Sequence, residues 1–187
     1  VSLLAFSNTF PRSFWASGDR PGTAYGGFEE VERRVRAVSR SSDVTVVSFH
    51  WGSERTHQAK PYQVDLAHRA VRAGADVVFG HHPHTIQPFE RYRGSVIFYS
   101  LGNYFFSTLS RDVHYGLLAD LLIPPGDGEI QVRFHVLNVN NYQVQYRPQL
   151  VGSFSSPHRL SRFLGRRDFA RLVRGRPDGV SRVQLRP

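Results

Sequence analysis

The chain of 187 residues contains no cysteine and no methionine. Without cysteine it forms neither disulfides nor thiolate metal sites, so any metal must take nitrogen or oxygen ligands. No stretch approaches the roughly 20 apolar residues that cross a bilayer, and no signal peptide is visible. Because methionine is absent even at position 1 and the chain opens on the apolar run VSLLAF, we expect the sequence to begin inside a longer protein.

Lysine is almost absent as well. Lys60 is the single one, so arginine carries nearly all of the net charge of +9. Such a balance is typical of proteins with anionic partners, namely nucleic acid, phosphate esters, acidic polymers or membrane surfaces. A solvated surface that is rich in arginine would give the same net positive charge without any anionic partner. The arginines are dispersed until the C-terminus, and no basic motif is interleaved with aromatic residues, so we expect no nucleic-acid partner.

The apolar pattern of the first hundred residues predicts an α/β fold. We predict strands over 1–6, 43–50, 75–80 and 95–103, and helices over 27–40 and 61–74. Apolar strands separated by helices indicate a parallel sheet that is covered on both faces. The stretch 7–26 is rich in glycine, proline and serine, which predicts a long loop at the rim of the domain.

The pattern changes to that of antiparallel strands from residue 115. The segments YGLLADLLI (115–123) and EIQVRFHVL (129–137) flank PPGDG, which predicts a hairpin turn, and YQVQYRP (142–148) alternates as a third strand. From residue 157, PHRLSRFLGRRDFARLVRGRP predicts a basic amphipathic helix. We favour a docked C-terminal helix over one that lies on a membrane surface.

Histidines follow two of the predicted parallel strands. His50 is the last residue of the strand 43–50, and the run GHHPH (80–84) directly follows the strand 75–80. In open α/β sheets, ligands bind beyond the carboxyl ends of the strands. Neighbouring strands would therefore bring these histidines to one rim of the sheet.

The spacing within GHHPH predicts a pair of metal ligands. Pro83 favours an extended conformation at His82, and residues two apart in an extended segment point the same way. We therefore expect His82 and His84 to project together and His81 to point away from them. With His50 they would supply three nitrogen ligands to zinc, iron or manganese.

Two further polar residues lie at the predicted rim. Glu54 follows His50 by four, where it could be a general acid or base, a hydrogen-bond partner of a ligand histidine, or a solvated loop residue. Asn103 follows a glycine at another strand end. It could donate to a phosphate, orient a ligand, or serve as an ordinary turn asparagine.

The segments VVSFHWGSE (46–54) and AHRAVRAGADVVFGHHPHTIQPFERYRGSVIFYSLGNYFF (67–106) contain HWG-x-E, G-x-H-P-H and YSLGN in order. With these motifs the chain resembles the CapA family of bacterial capsule-synthesis proteins, which includes the PgsA-type component of poly-γ-glutamate synthesis. The family resembles a branch of the calcineurin-like metallophosphoesterases. The resemblance is dense over 43–106 and continues weakly through 147.

The resemblance implies a partial calcineurin-like fold, with α/β/β/α layers around a mixed sheet and a metal centre at one rim. Residues 1–150 would be the C-terminal half of the family domain, with antiparallel strands at its end, and 151–187 a basic tail with a terminal helix. Family members carry further carboxylate and Asn-His ligands in an N-terminal half. No such motif precedes His50, since Asp19 lies in the predicted loop.

Carried over residue by residue, the resemblance assigns metal binding to His50, His82 and His84. Glu54 matches the acidic residue after HWG, and Asn103 matches the asparagine of the SLGN turn. We expect Glu54 or His81 to transfer protons and Asn103 to contact the substrate. The implied cofactor is a divalent metal (Mn, Fe or Zn), dinuclear in the complete protein.

Three functions remain open at this point. The first is a metal-dependent, phosphoesterase-like hydrolase with a phosphoester substrate. The second is a non-catalytic envelope protein that binds an anionic capsule polymer during assembly or export, together with other components of a capsule-synthesis complex. The third is a chain whose site is incomplete and inactive. The family resemblance implies a secreted or cell-envelope location.

Overall fold

The computed structural model describes residues 1–9, 11–107, 109, 113–124, 130–154, 173–174 and 182–183. Its elements in chain order are strand β1 (Ser2–Ser7), a 3-10 turn (Arg12–Phe14), helix α1 (Phe28–Ser39), β2 (Thr45–His50), α2 (Pro61–Ala73), β3 (Val77–His81), β4 (Phe89–Tyr92), β5 (Ser95–Phe98), β6 (Tyr115–Leu122), β7 (Ile130–Asn138), α3 (Asn141–Val144), β8 (Gln149–Phe154), β9 (Val173–Arg174) and β10 (Arg182–Val183). No helix within these ranges is both long and apolar enough to cross a membrane.

Five strands from the first hundred residues, with β9 from near the C-terminus, form a mixed six-stranded sheet in the order β1-β2-β3-β5-β4-β9. Strands β1, β2, β3 and β5 are mutually parallel, which confirms the predicted parallel sheet. Strand β4 was not predicted. It runs antiparallel to β5, through a two-residue turn in which Arg93 and Gly94 have positive φ angles of 51° and 90°, as the tight turns of hairpins require.

A second, antiparallel sheet is built around β7, which pairs with β6, β8 and β10. The pairing of β6 with β7 confirms the predicted hairpin strands, although turn residues 125–129 lie outside the described ranges. The third strand predicted over 142–148 is wrong. Asn140 caps the short helix α3, its side chain accepting the Tyr142 N–H, and Gln145 and Tyr146 have left-handed φ angles that end any extended run.

The predicted tail helix from residue 157 lies outside the described residues, except for Val173 and Arg174. These two form β9, which pairs parallel with Phe89 and Glu90 of β4. The helical prediction is therefore wrong at these two positions, because backbone pairing with β4 sets their conformation there. The boundary predicted at residue 150 falls inside strand β8.

The mixed sheet is apolar on both faces, and each face has its own core. Helices α1 and α2 pack on one face, against residues that include Val47, Phe49 and Ile97. The antiparallel sheet packs on the other, where the Phe134 ring lies 5.4 Å from Phe89 and 5.7 Å from Phe98. Helices, mixed sheet and antiparallel sheet thus form successive layers, and the carboxyl ends of the parallel strands share one rim.

Candidate metal centre

Sheet register brings the two histidine segments side by side. His50 ends β2 and pairs with His81 at the end of β3, while Ser7 pairs with His50 from the other side. The Trp51 N–H donates to the His81 carbonyl at 3.1 Å, so both strands leave the sheet at the same level. The predicted meeting of the strand ends is confirmed by this register.

The backbone of the GHHPH run is a bend, not the extended segment that Pro83 was expected to impose. His82 has a φ of 96° and His84 a φ of 59°, so that expectation is wrong. The Arg55 N–H donates to the Pro83 carbonyl at 2.8 Å, and the Thr85 hydroxyl donates to the Thr56 carbonyl at 2.8 Å. These contacts with the loop after β2 hold the bend. Left-handed φ at non-glycine residues costs about 1–3 kcal/mol each and is common at functional sites.

The bend nevertheless brings ligand atoms together. One carboxylate oxygen of Glu54 and one ring nitrogen each of His82 and His84 lie within 4.8 Å of one another. Two ligands about 2.1 Å from one ion lie at most roughly 4.2 Å apart, so small side-chain rotations would place all three on one metal. Glu54, expected to handle protons, thus lies among the possible ligands.

His50 and His81 flank this tight group and are not members of it. The His50 side chain is exposed, and its ring centroid lies 4.9 Å from that of His82. His81 remains within β3, partly buried. The group of atoms close enough to share an ion therefore contains Glu54 beside His82 and His84, and His50 lies next to this group.

Asn103 fixes the orientation of His84. The His84 Nδ1–H donates to the Asn103 Oδ1 at 2.7 Å, which leaves Nε2 as the free ligand nitrogen. The Asn103 side chain is 5% exposed, and its Nδ2 has no hydrogen-bond partner in the described part of the chain. The Phe106 ring lies against His84 from another side, with centroids 4.4 Å apart.

The electrostatics of the rim favour neutral imidazoles. Partial burial lowers the pKa of His50, and the neighbouring His82, His81 and His84 lower it further. Burial also lowers the pKa of His81. The pKa of His82 is lowered by burial and by His84, with the Glu54 carboxylate acting in the opposite direction. Since only neutral imidazole binds metal, these shifts preserve ligand capacity near neutral pH.

Sequence reasoning missed the residues that support the rim from below. Trp51 is fully buried, and its indole N–H donates to the Tyr99 carbonyl at 2.9 Å. Gly80 makes room for this contact, since a Cβ there would lie 2.0 Å from the Tyr99 carbonyl oxygen and 2.5 Å from Trp51 Nε1. Buried Gln87 donates to the Thr56 carbonyl at 2.9 Å and so ties down the loop that carries Glu54. In the sequence, only the position of Trp51 directly after His50 indicated that any of these residues supports the rim.

Helices on one face of a mixed sheet and an antiparallel sheet on the other form a mixed α/β fold, consistent with a metallophosphoesterase-like family. Residues 5–108 match the family described as bacterial capsule synthesis protein PGA_cap. This match covers more than half of the chain, so the chain belongs to that family. The resemblance proposed from the motifs is thereby confirmed.

Several relatives match part of the chain. The PGA biosynthesis protein CapA of Bacillus subtilis (strain 168) is 36% identical over 115 residues, which is 60% of this chain and 30% of that protein. The capsule biosynthesis protein CapA of Bacillus anthracis is 36% identical over 110 residues (57% and 27%). A probable polyglutamine synthesis accessory protein of Mycobacterium tuberculosis (strain CDC 1551 / Oshkosh) is 38% identical over 109 residues (54% and 29%). The matched part of the chain spans less than a third of the length of each relative.

Proposed function

We propose that the chain takes part in the synthesis of an anionic capsule polymer of the polyglutamate type and carries the histidine-rich part of a metal-dependent hydrolase site. Relatives named for capsule and PGA biosynthesis support the first half of this proposal. The grouping of Glu54, His82 and His84 carries the second half. We propose that residues 1–150 belong to the family domain, whose last strand β8 runs on to Phe154, and that a basic tail follows up to residue 187.

The donor set at the rim fits a divalent metal. It offers imidazole nitrogens and a carboxylate oxygen and no sulfur, a set that suits zinc, iron or manganese. His82, His84 and Glu54 would hold one ion, and His50 would extend the site toward a second ion in a complete protein. When bound, the metal would supply Lewis-acid chemistry toward a phosphoester substrate.

The chain's own residues would orient the site and move protons. Asn103 holds the proton of His84 on Nδ1. His81, whose pKa is lowered by burial, is neutral near pH 7 and could accept a proton at the edge of the site. Asn103 is also the residue we propose for substrate contact.

A second candidate is a non-catalytic protein that binds the anionic polymer. The net charge of +9 favours it, because electrostatic attraction to a polyanion needs no complete active site. A site that is incomplete in this chain alone would leave this function intact. The two candidates respond differently to salt and to loss of the histidines.

Calorimetric titration of the metal-free chain with zinc and with manganese tests the hydrolase site. We expect Glu54→Gln and His82→Ala to weaken binding by more than about tenfold, since even indirect partners of metal ligands are worth about 10–100-fold. His57→Ala, at an exposed histidine near Glu54 in sequence, should bind as the wild type does. Equal affinities in all four proteins would refute the site.

Activity and polymer binding then separate the two candidates. Metal-dependent turnover of a generic phosphoester that disappears in His82→Ala would support the hydrolase. Salt-sensitive binding of polyglutamate that survives His82→Ala, without any turnover, would support the binding protein.

A further inference from the structure

The loop that contacts His84 is seated on the antiparallel sheet. Asn103, the hydrogen-bond partner of His84, lies in the segment between β5 and β6. Within that segment the Leu101 carbonyl accepts the Leu117 N–H of β6 at 2.7 Å. The position of Asn103 therefore depends on β6, whose residues lie beyond the segment matched by the capsule-synthesis family.

Gly116 of β6 packs directly against the backbone of Asn103 in this loop. A Cβ at Gly116 would lie 1.7 Å from the Asn103 carbonyl oxygen and 2.9 Å from its carbonyl carbon. Both atoms are backbone, so no side-chain rotation relieves the overlap. The backbone of Gly116 itself is not left-handed, so the glycine is required here for close approach and not for its conformation.

The rest of the loop is held by the same layer. Gly102, with a φ of 74°, packs against Gly116, since a Cβ at Gly102 would lie 3.4 Å from the Gly116 Cα. At the far end of the loop, the Asn141 side chain of α3 donates to the Phe106 carbonyl at 2.7 Å. Asn103 and Phe106, which both contact His84, are thus anchored to the second sheet and its following helix.

We propose that Gly116 is a positioning residue for the candidate site. By letting β6 approach, it seats Asn103 so that Oδ1 accepts the His84 Nδ1–H and keeps Nε2 free for a metal. The consequence for metal affinity rests on the proposed function, whereas the tautomer of His84 is a property of the metal-free chain. Partners that fix the tautomer of a ligand histidine typically change metal affinity about 10- to 100-fold.

The tautomer of His84 tests this directly. Long-range ¹H–¹⁵N NMR spectra of the metal-free chain at pH 8 distinguish Nδ1–H from Nε2–H imidazoles, and the spectrum of His84→Ala assigns the signal. We expect Nδ1–H in the wild type and a mixture of tautomers in Gly116→Ala. Gly27→Ala adds the same methyl group where only the Tyr25 ring lies near, at 3.3 Å, and should keep the wild-type signal.

Two variants of Asn103 complete the test. Asn103→Leu removes the acceptor and should reproduce the mixture, whereas Asn103→Asp keeps an acceptor oxygen and should restore Nδ1–H. A folded Gly116→Ala chain with the wild-type signal overturns the proposal. If Gly116→Ala does not fold, Asn103→Leu decides, because an unchanged signal there would overturn the dependence of His84 on this loop.

Zinc titration of the same proteins separates this inference from the proposed function. We expect Gly116→Ala and Asn103→Leu to bind zinc about 10- to 100-fold more weakly than the wild type. A wild type that binds no zinc would refute the proposed metal site, while the tautomer measurements would still decide the role of Gly116.

Discussion

Trp51 belongs to the HWG motif, but its role is in the core. Replacing it by phenylalanine should therefore destabilise the fold far more than the same change at Trp15. The substitution removes the indole N–H that donates to the Tyr99 carbonyl at 2.9 Å, and loss of one partner of a buried hydrogen bond costs about 1–3 kcal/mol. The Trp51 ring is fully buried and stacked on Phe49, with centroids 4.4 Å apart. The smaller ring leaves a cavity worth about 1 kcal/mol more, for a total of about 2–4 kcal/mol.

Urea denaturation followed by far-UV circular dichroism measures this difference, because the signal reports mainly backbone structure and, unlike fluorescence, does not require a tryptophan. Trp15 is the matched control, since the chain has two tryptophans and Trp15 also donates to a carbonyl, that of Thr9 at 3.1 Å. Trp15 is only partly buried, so we expect Trp15→Phe to cost about 1 kcal/mol or less. Equal losses for the two variants would refute the assignment of Trp51 to the core.

Two further predictions concern the core and the rim. Phe134→Ala should lower the free energy of unfolding by about 3–5 kcal/mol in the same assay, because Phe134 is fully buried between the sheets. Leu3→Ala, at a residue that is 69% exposed, should lower it by about 0.5 kcal/mol or less. Similar decreases for the two variants would contradict the two-sheet core. Burial lowers the pKa of His81 in the folded chain. Below about pH 6.5 the unfolded chain therefore binds more protons at this residue than the folded chain does, and the free energy of unfolding decreases as the pH is lowered. When the pH is lowered from 7.5 to 5.5, the melting temperature of His81→Gln should therefore decrease less than that of the wild type. An equal decrease in the two proteins would contradict this prediction.

The regular elements of the first hundred residues could be predicted because their patterns are strong. Strand β2 is a nearly continuous apolar run, and helix α2 begins at a proline and is followed by Gly74. Strand β4 was missed because FERY has one fully buried side chain, that of Phe89, and its strand conformation comes from pairing with β5. In YQVQYRP the alternation was misleading, since the Asn140 cap favours a helical turn instead.

The meeting of the histidines at one rim was predictable, but their local conformation was not. The strand register that joins His50 to His81 follows from the parallel sheet, so the shared rim could be derived. The bend at His82 could not, because it depends on hydrogen bonds from residues 55 and 85 across the loop. Neither the grouping of Glu54 with His82 and His84 nor the contact of Asn103 with Gly116 could be predicted, because neither leaves a local pattern in the sequence.

The most direct test of the metal site is the metal content of the purified chain, measured by elemental mass spectrometry beside a His82→Ala/His84→Ala variant. We expect near-stoichiometric manganese, iron or zinc in the wild type and its loss in the variant. A well-folded wild-type chain without bound metal, even after incubation with all three ions, would contradict the account.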